Sequence, residues 1–150
     1  MTQFEYSSYI DAPVERVFAF HQRPDAIELL TPPERKIEVV HRSGGIMAGA
    51  VVEFLIPVGP LRIHWLAHHI AYEENRLFVD EQRKGPFAAW VHAHRFAPEG
   101  EGTRLTDSIR FALPGGKVAE AMAGWAVKRE LRKMFAYRHA VTRRYCEPLH

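Results

Sequence analysis

Two histidines stand two residues apart between aromatics in the stretch Trp90-Val91-His92-Ala93-His94-Arg95-Phe96. Such a pair can ligate a metal, move a proton, or form the polar wall of a binding site. On a strand, side chains alternate, so Trp90, His92, His94 and Phe96 share one face while Val91, Ala93 and Arg95 share the other.

The next strand splits in the same way. Thr103, Leu105, Asp107, Ile109 and Phe111 fall on one side, and Arg104, Thr106, Ser108 and Arg110 on the other, which reads as the wet one. If the turn at Pro98 to Gly102 pairs Phe96 with Thr103, His92 falls opposite Asp107 and Trp90 opposite Ile109. Both histidines and the aspartate then point inward among aromatics. Inward polar groups cost roughly 1–3 kcal/mol each unless they are hydrogen-bonded, so they need a partner or a purpose. A structural His92–Asp107 pair meets the first need. A partly hydrated pocket, where the pair orients a ligand or moves a proton, meets the second.

The metal reading rests on local spacing. His92 and His94, about 6.6 Å apart on one strand face, can converge on one ion. With Glu99 five residues further on and Gly85 upstream, the segment imitates the first metal motif of the cupin barrels. Against this, the glycine spacings differ, no second histidine motif follows in the last strand, and Glu99 lies in a Pro-Glu-Gly turn. A bound metal is therefore the second alternative, and no cofactor is expected. His64 and His68 stand about 13 Å apart on a strand, too far to share an ion, and with His69 they are assigned to surface or edge positions. No nucleophile elbow, phosphate-binding glycine loop or paired-carboxylate glycosidase site is present.

The elements that must position these groups follow from periodicity. Residues 3–10 alternate as a strand. Asp11 and Pro13 then start a short amphipathic helix carrying Val14, Val17, Phe18 and His21 on one stripe. A shorter helical piece runs from Asp25 to Leu30 and stops at Thr31-Pro32-Pro33. Six strands are predicted over 36–42, 50–57, 61–72, 76–83, 87–97 and 103–113, separated by glycine-, proline- and asparagine-bearing turns. After Pro114-Gly115-Gly116, a proline-free helix runs from Lys117 to Tyr145. In it Val118, Met122 and Trp125 form one stripe, while Val127, Leu131, Met134, Val141 and Tyr145 form another about half a turn away. Gly124 sits at the changeover. The expectation is that the first half faces a cavity and the second packs on the sheet, with an oligomer contact as the alternative.

Length and composition set the frame. The 150 residues, 47% apolar and 25% charged, suit one domain over the whole of 1–150. A net charge of +2 from 20 basic and 18 acidic side chains is too balanced to predict nucleic-acid binding. The C-terminal helix is the local exception, with eight Lys or Arg against three Glu over residues 117–147. Cys146 is the lone cysteine, which excludes an intrachain disulfide. No run approaches the roughly 20 apolar residues that span a bilayer, and the N-terminus has no signal-peptide pattern. A cytoplasmic protein is the expectation, with a homo-oligomer left open.

The order strand, two short helices, six-strand meander and long helix resembles the START-related ligand-binding superfamily, often called SRPBCC. Its helix-grip fold is shared with polyketide cyclases and the major birch-pollen allergen. The residues that carry the resemblance are Ile10-Asp11-Ala12-Pro13 with Glu15, Val17 and Phe18; Gly85-Pro86-Phe87 with Trp90, His92 and Phe96; Gly102-Thr103 with Leu105 and Asp107; and Leu113-Pro114-Gly115-Gly116. The resemblance implies an α+β fold, a curved antiparallel sheet of about seven strands gripping the C-terminal helix around a cavity for an apolar or amphipathic small molecule. Inward candidates for that cavity are Tyr6, Phe54, Trp65, Phe78, Trp90, Phe111, Met122 and Trp125, with His92, Asp107 and Asp80 as orienting polar groups. The expected function is noncatalytic binding or carriage of a hydrophobic molecule. The alternative is a cyclase or dehydratase using His92 and Asp107.

Overall fold

The computed structural model describes residues 1–149. Strand β1 (Thr2–Ile10) leads into α1 (Val14–His21), α2 (Ala26–Leu29) and a 3-10 turn at Pro33–Arg35. Six strands follow: β2 (Glu38–Ser43), β3 (Val51–Val58), β4 (Leu61–Glu73), β5 (Leu77–Lys84), β6 (Ala89–Glu99) and β7 (Gly102–Ala112). Helix α3 (Gly116–Cys146) closes the chain. All seven strands form one antiparallel sheet in the order β1-β7-β6-β5-β4-β3-β2, so the first strand returns to pair with the last. This is the helix-grip arrangement that the family resemblance implies.

The inward face is built by alternation. Phe4, Ser8 and Ile10 of β1, Leu105, Asp107, Ile109 and Phe111 of β7, and Trp90, His92, His94 and Phe96 of β6 are all buried. They pack in two apolar clusters. One joins Phe18 and Phe20 of α1 to Phe78, Phe96, Leu105 and Val141. The other joins Phe4, Trp65, Trp90 and Phe111 to Leu131 and Phe135 of α3. Burying each such side chain contributes roughly 1.5–3 kcal/mol, so both clusters are needed to hold helix to sheet.

The β6–β7 register differs from the expected one by two residues. The turn is tight, with Glu99 opposite Gly102 and Gly100 at φ 58, a left-handed conformation that favours glycine. His94 therefore pairs with Asp107, His92 with Ile109, Trp90 with Phe111 and Phe96 with Leu105. Because the shift is even, every side chain keeps its expected face.

Helix α3 departs further from expectation. Its sheet-facing stripe begins with Glu120, which accepts a 2.6 Å hydrogen bond from Thr2 Oγ1, and with buried Gly124, which lies over Thr2 of β1. One face thus serves the whole helix. Met122 and Trp125, expected to line the cavity, lie on the opposite side and are 73% and 64% exposed. Tyr145 also turns outward, stacking on Phe20 at 5.2 Å. No helix among the described residues is long and apolar enough to cross a membrane.

Candidate functional site

Between the two apolar clusters runs a row of polar side chains. Asp107 lies at its centre. Its Oδ1 accepts from His92 Nε2 at 2.7 Å and from His94 Nδ1 at 3.2 Å, and its Oδ2 accepts from His139 Nε2 at 2.6 Å. His139, on the inner stripe of α3, meets Ser8 of β1 through its other nitrogen. On the far side, His94 Nε2 donates to Asp80 Oδ2 at 2.9 Å. Asp80 faces His69 across the β4–β5 pair. The row thus crosses five strands and ties them to α3.

Its charges follow from the contacts. Burial alone pushes the Asp107 carboxyl up, but donation from His139, His92 and His94 outweighs it and holds the group well below the usual carboxylate range. Asp80 shows the same balance, burial opposed by His94, and falls to about 2. His94 has a carboxylate at each ring nitrogen, so both nitrogens donate. Against the downward pull of burial, those bonds to Asp107 and Asp80 raise its pKa. His92 is driven the other way, by burial and then by the charge on His94, so it is the neutral ring of the pair. With Nε2–H given to Asp107, its Nδ1 keeps a free lone pair.

Among the described residues, two buried side-chain atoms lack partners. One is His69 Nδ1, on a side chain 6% exposed; the other is Arg138 Nε. Arg138 lies over the Phe135 ring at 5.3 Å, and burial pulls its guanidinium below the ordinary value even with Asp107 and Asp80 nearby. His94 and the Arg138 guanidinium thus stand among two carboxylates, Asp80 and Asp107, inside the grip. A partly enclosed cavity of about 230 Å³ opens between the Pro33–Arg35 turn and α3, lined by Pro32, Arg35, Met134 and Tyr137 among others. Met134 and Tyr137 also pack against the second and first apolar clusters respectively, so the wall of this cavity touches both. Arg35 and Glu130 pair across it at 2.6 Å.

Most sequence candidates fall along this interior. Phe78 stacks on His94 at 3.9 Å, Phe54 on Trp65 at 5.9 Å, and half-buried Tyr6 meets His139 edge-on at 4.8 Å. Trp90 and Phe111 are buried in the second cluster, and Asp80 joins the polar row. Met122 and Trp125 do not reach it. His69 is a further correction. It shares the inward phase of β4 with Trp65 and Ala67, whereas His64 and His68 point outward, and His64 pairs with Glu53 at 2.6 Å. Ser8, Arg138 and His139 are missed by the sequence reading. The signal for the last two was available, because Arg138 and His139 follow Leu131, Met134 and Phe135 at three- and four-residue spacing on the packed stripe.

A metal can be asked of three residues. Asp80, His92 and His94 bring one donor atom each within 4.8 Å of one another. The two rings, however, stack with centroids 3.6 Å apart and a 28° tilt, and their Nε2 atoms address different carboxylates. In-plane lone pairs of stacked rings run side by side, so a shared ion requires one ring to turn. Glu99 is outside the site, exposed and paired with Arg104 at 2.8 Å.

The site also makes stability depend on pH. His21 is buried beside Phe96 and donates from Nδ1 to the Val17 carbonyl at 2.8 Å. Burial lowers its pKa from 6.5 to about 4. The folded chain then binds fewer protons than the unfolded one between those values. This contribution is whole above pH 6.5 and is lost as pH falls towards 4, about 2 kcal/mol of it by pH 5. His94 acts oppositely, in its own window above 6.5. Urea unfolding of the His21→Gln variant is expected to lose ~2 kcal/mol less than the parent between pH 7 and pH 5. Equal losses would show that His21 does not titrate with folding.

A curved sheet gripping a long helix across a polar row places the chain in the helix-grip, SRPBCC class. Over residues 1–137 it matches the family model described as polyketide cyclase / dehydrase and lipid transport, and it belongs to that family. Solved structures agree on the fold. TTHA0849 from Thermus thermophilus is 19% identical at a TM-score of 0.74, covering 96% of each chain. The di-domain ARO/CYC StfQ of the steffimycin biosynthetic pathway is 13% identical at 0.78, over 97% of this chain and 50% of that one. The nucleoside-diphosphate sugar epimerase from Corynebacterium glutamicum is 27% identical at 0.70 over 94% of this chain, which spans only 28% of that protein. No curated protein matches.

Proposed function

We propose that the protein binds and carries an apolar or amphipathic small molecule between the sheet and α3, without transforming it. The observation that carries this reading is the pair of unpartnered, fully buried atoms, His69 Nδ1 and Arg138 Nε, beside the polar row. A buried polar atom without a partner costs about 1–3 kcal/mol, and such atoms persist where a ligand or water supplies the missing bond. Aromatic walls on both sides would hold the apolar body, and the row would orient its polar group. The cavity beside Arg35 and Glu130 would be the way in, since parting one exposed ion pair costs little. The family description, with its lipid-transport branch, is compatible with this use. Native mass spectrometry of the purified protein, followed by solvent extraction, is expected to find one small molecule per chain.

A second reading is favoured by one contact. His92, neutral and bonded to Asp107 at 2.7 Å, has the form of a general base whose tautomer a carboxylate fixes. A cyclase or dehydratase would use its free Nδ1 to take a proton from an acidic carbon of a polyketide-like substrate. The His92→Gln variant separates the two readings. Retained binding with turnover reduced about 100-fold or more would favour the enzyme. Weakened binding, with no turnover detectable even in the parent, favours the carrier.

A further inference from the structure

Along the outer side of α3, Val118, Met122, Trp125, Arg129 and Arg132 follow one another at steps of four and three, so they form a single stripe facing solvent. The three apolar members are 70%, 73% and 64% exposed, an unusual concentration of bare apolar surface on one helix. The stripe changes character along its length, apolar in the first half and cationic in the second. No carboxylate interrupts it. Glu120 is turned to Thr2, and Glu130 to Arg35. Neither Arg129 nor Arg132 has a carboxylate partner among the described residues, where the ion pairs of α3 are those of Glu130, and of His139 with Asp107 inside. At the same end of the sheet from which β7 hands over to α3, the β3–β4 turn exposes Val58 and Leu61, at 51% and 66%.

We infer that this stripe, with the β3–β4 turn at the same end, is a docking surface for an anionic lipid bilayer. Charge and apolar pattern together select that occupant. The apolar half suits the boundary between headgroups and acyl chains, tryptophan favours that interface, and the arginines meet lipid phosphates beside it. A second copy of the chain fits less well. Packed parallel, the stripe sets arginine against arginine; packed antiparallel, it sets Arg129 and Arg132 against Met122 and Val118. RNA would match the arginines and leave the apolar half without a partner. The stripe lies on the side of α3 away from the buried polar row, so the inference stands whether or not the interior carries a ligand.

The test uses the whole protein and vesicles of phosphatidylcholine, with or without phosphatidylglycerol. Trp125 is the exposed indole beside buried Trp65 and Trp90, so its emission reports contact directly. Co-sedimentation with the anionic vesicles is expected, weakening with salt, together with a blue shift of emission and little binding to neutral vesicles. Trp125→Ser should remove the shift and weaken binding roughly tenfold, and Arg129→Gln with Arg132→Gln should remove the preference for anionic lipid. Both changes lie on exposed positions. The inference is overturned if the parent ignores anionic vesicles or if Trp125→Ser binds them equally. Trp125-dependent self-association or RNA binding in place of vesicle binding overturns it as well.

Discussion

Replacing Asp107 by Asn is expected to lower the free energy of unfolding by about 3–5 kcal/mol, the largest single loss available in this interior. The carboxylate accepts from three histidines of two different elements, His92 and His94 on β6 and His139 on α3. An amide in its place offers one oxygen and presents its own N–H groups to the remaining donors. It also removes half the negative charge that holds His94 as an imidazolium. Urea denaturation at pH 7 measures the loss. The matched control is Glu53→Gln, which opens the half-exposed pair with His64 on the outer face and is expected to cost less than about 1 kcal/mol. If the two variants cost the same, the interior row does not hold α3 to the sheet.

Arg138→Met is expected to behave in the opposite way, keeping stability while losing the ligand. A methionine fills a similar volume over the Phe135 ring and removes a half-buried guanidinium that makes no ion pair among the described residues, so no salt bridge is broken. For a residue that only supports the fold, lost packing and lost charge balance would instead appear as a loss of stability. For a residue held in reserve for a ligand's polar group, the loss should appear in affinity, at about 10- to 100-fold for a charge-assisted bond. Urea unfolding and ligand titration on the same preparation separate these outcomes. His21→Gln, compared across pH, and His92→Gln, compared for turnover and binding, test the neighbouring parts of the same interior.

Legibility in the sequence was uneven, for physical reasons. Strand alternation placed Trp90, His92, His94 and Asp107 on the inner face correctly, because facing depends only on parity, and the even register shift preserved it. Pairing depends on turn length, which the prolines and glycines around residues 98–102 do not specify. His92 still reaches Asp107, though diagonally, with His94 directly opposite. The first half of α3 was misread because its apolar residues are the exposed ones. Glu120 and Gly124, which hydropathy ranks as surface residues, make the contact with β1. Arg138 was hidden for the same reason. A cation on a helix reads as solvated until spacing against Leu131 and Phe135 is given more weight than residue type.

The central claim is that the interior polar row receives the polar end of an amphipathic molecule. Titration with anilinonaphthalene sulfonate, which joins an apolar aromatic body to an anionic head, tests it most directly. The parent is expected to bind one probe per folded chain with enhanced fluorescence, and Arg138→Met to bind at least about tenfold more weakly at unchanged urea midpoint. Equal affinity in parent and variant, or no binding by the folded parent, would contradict it.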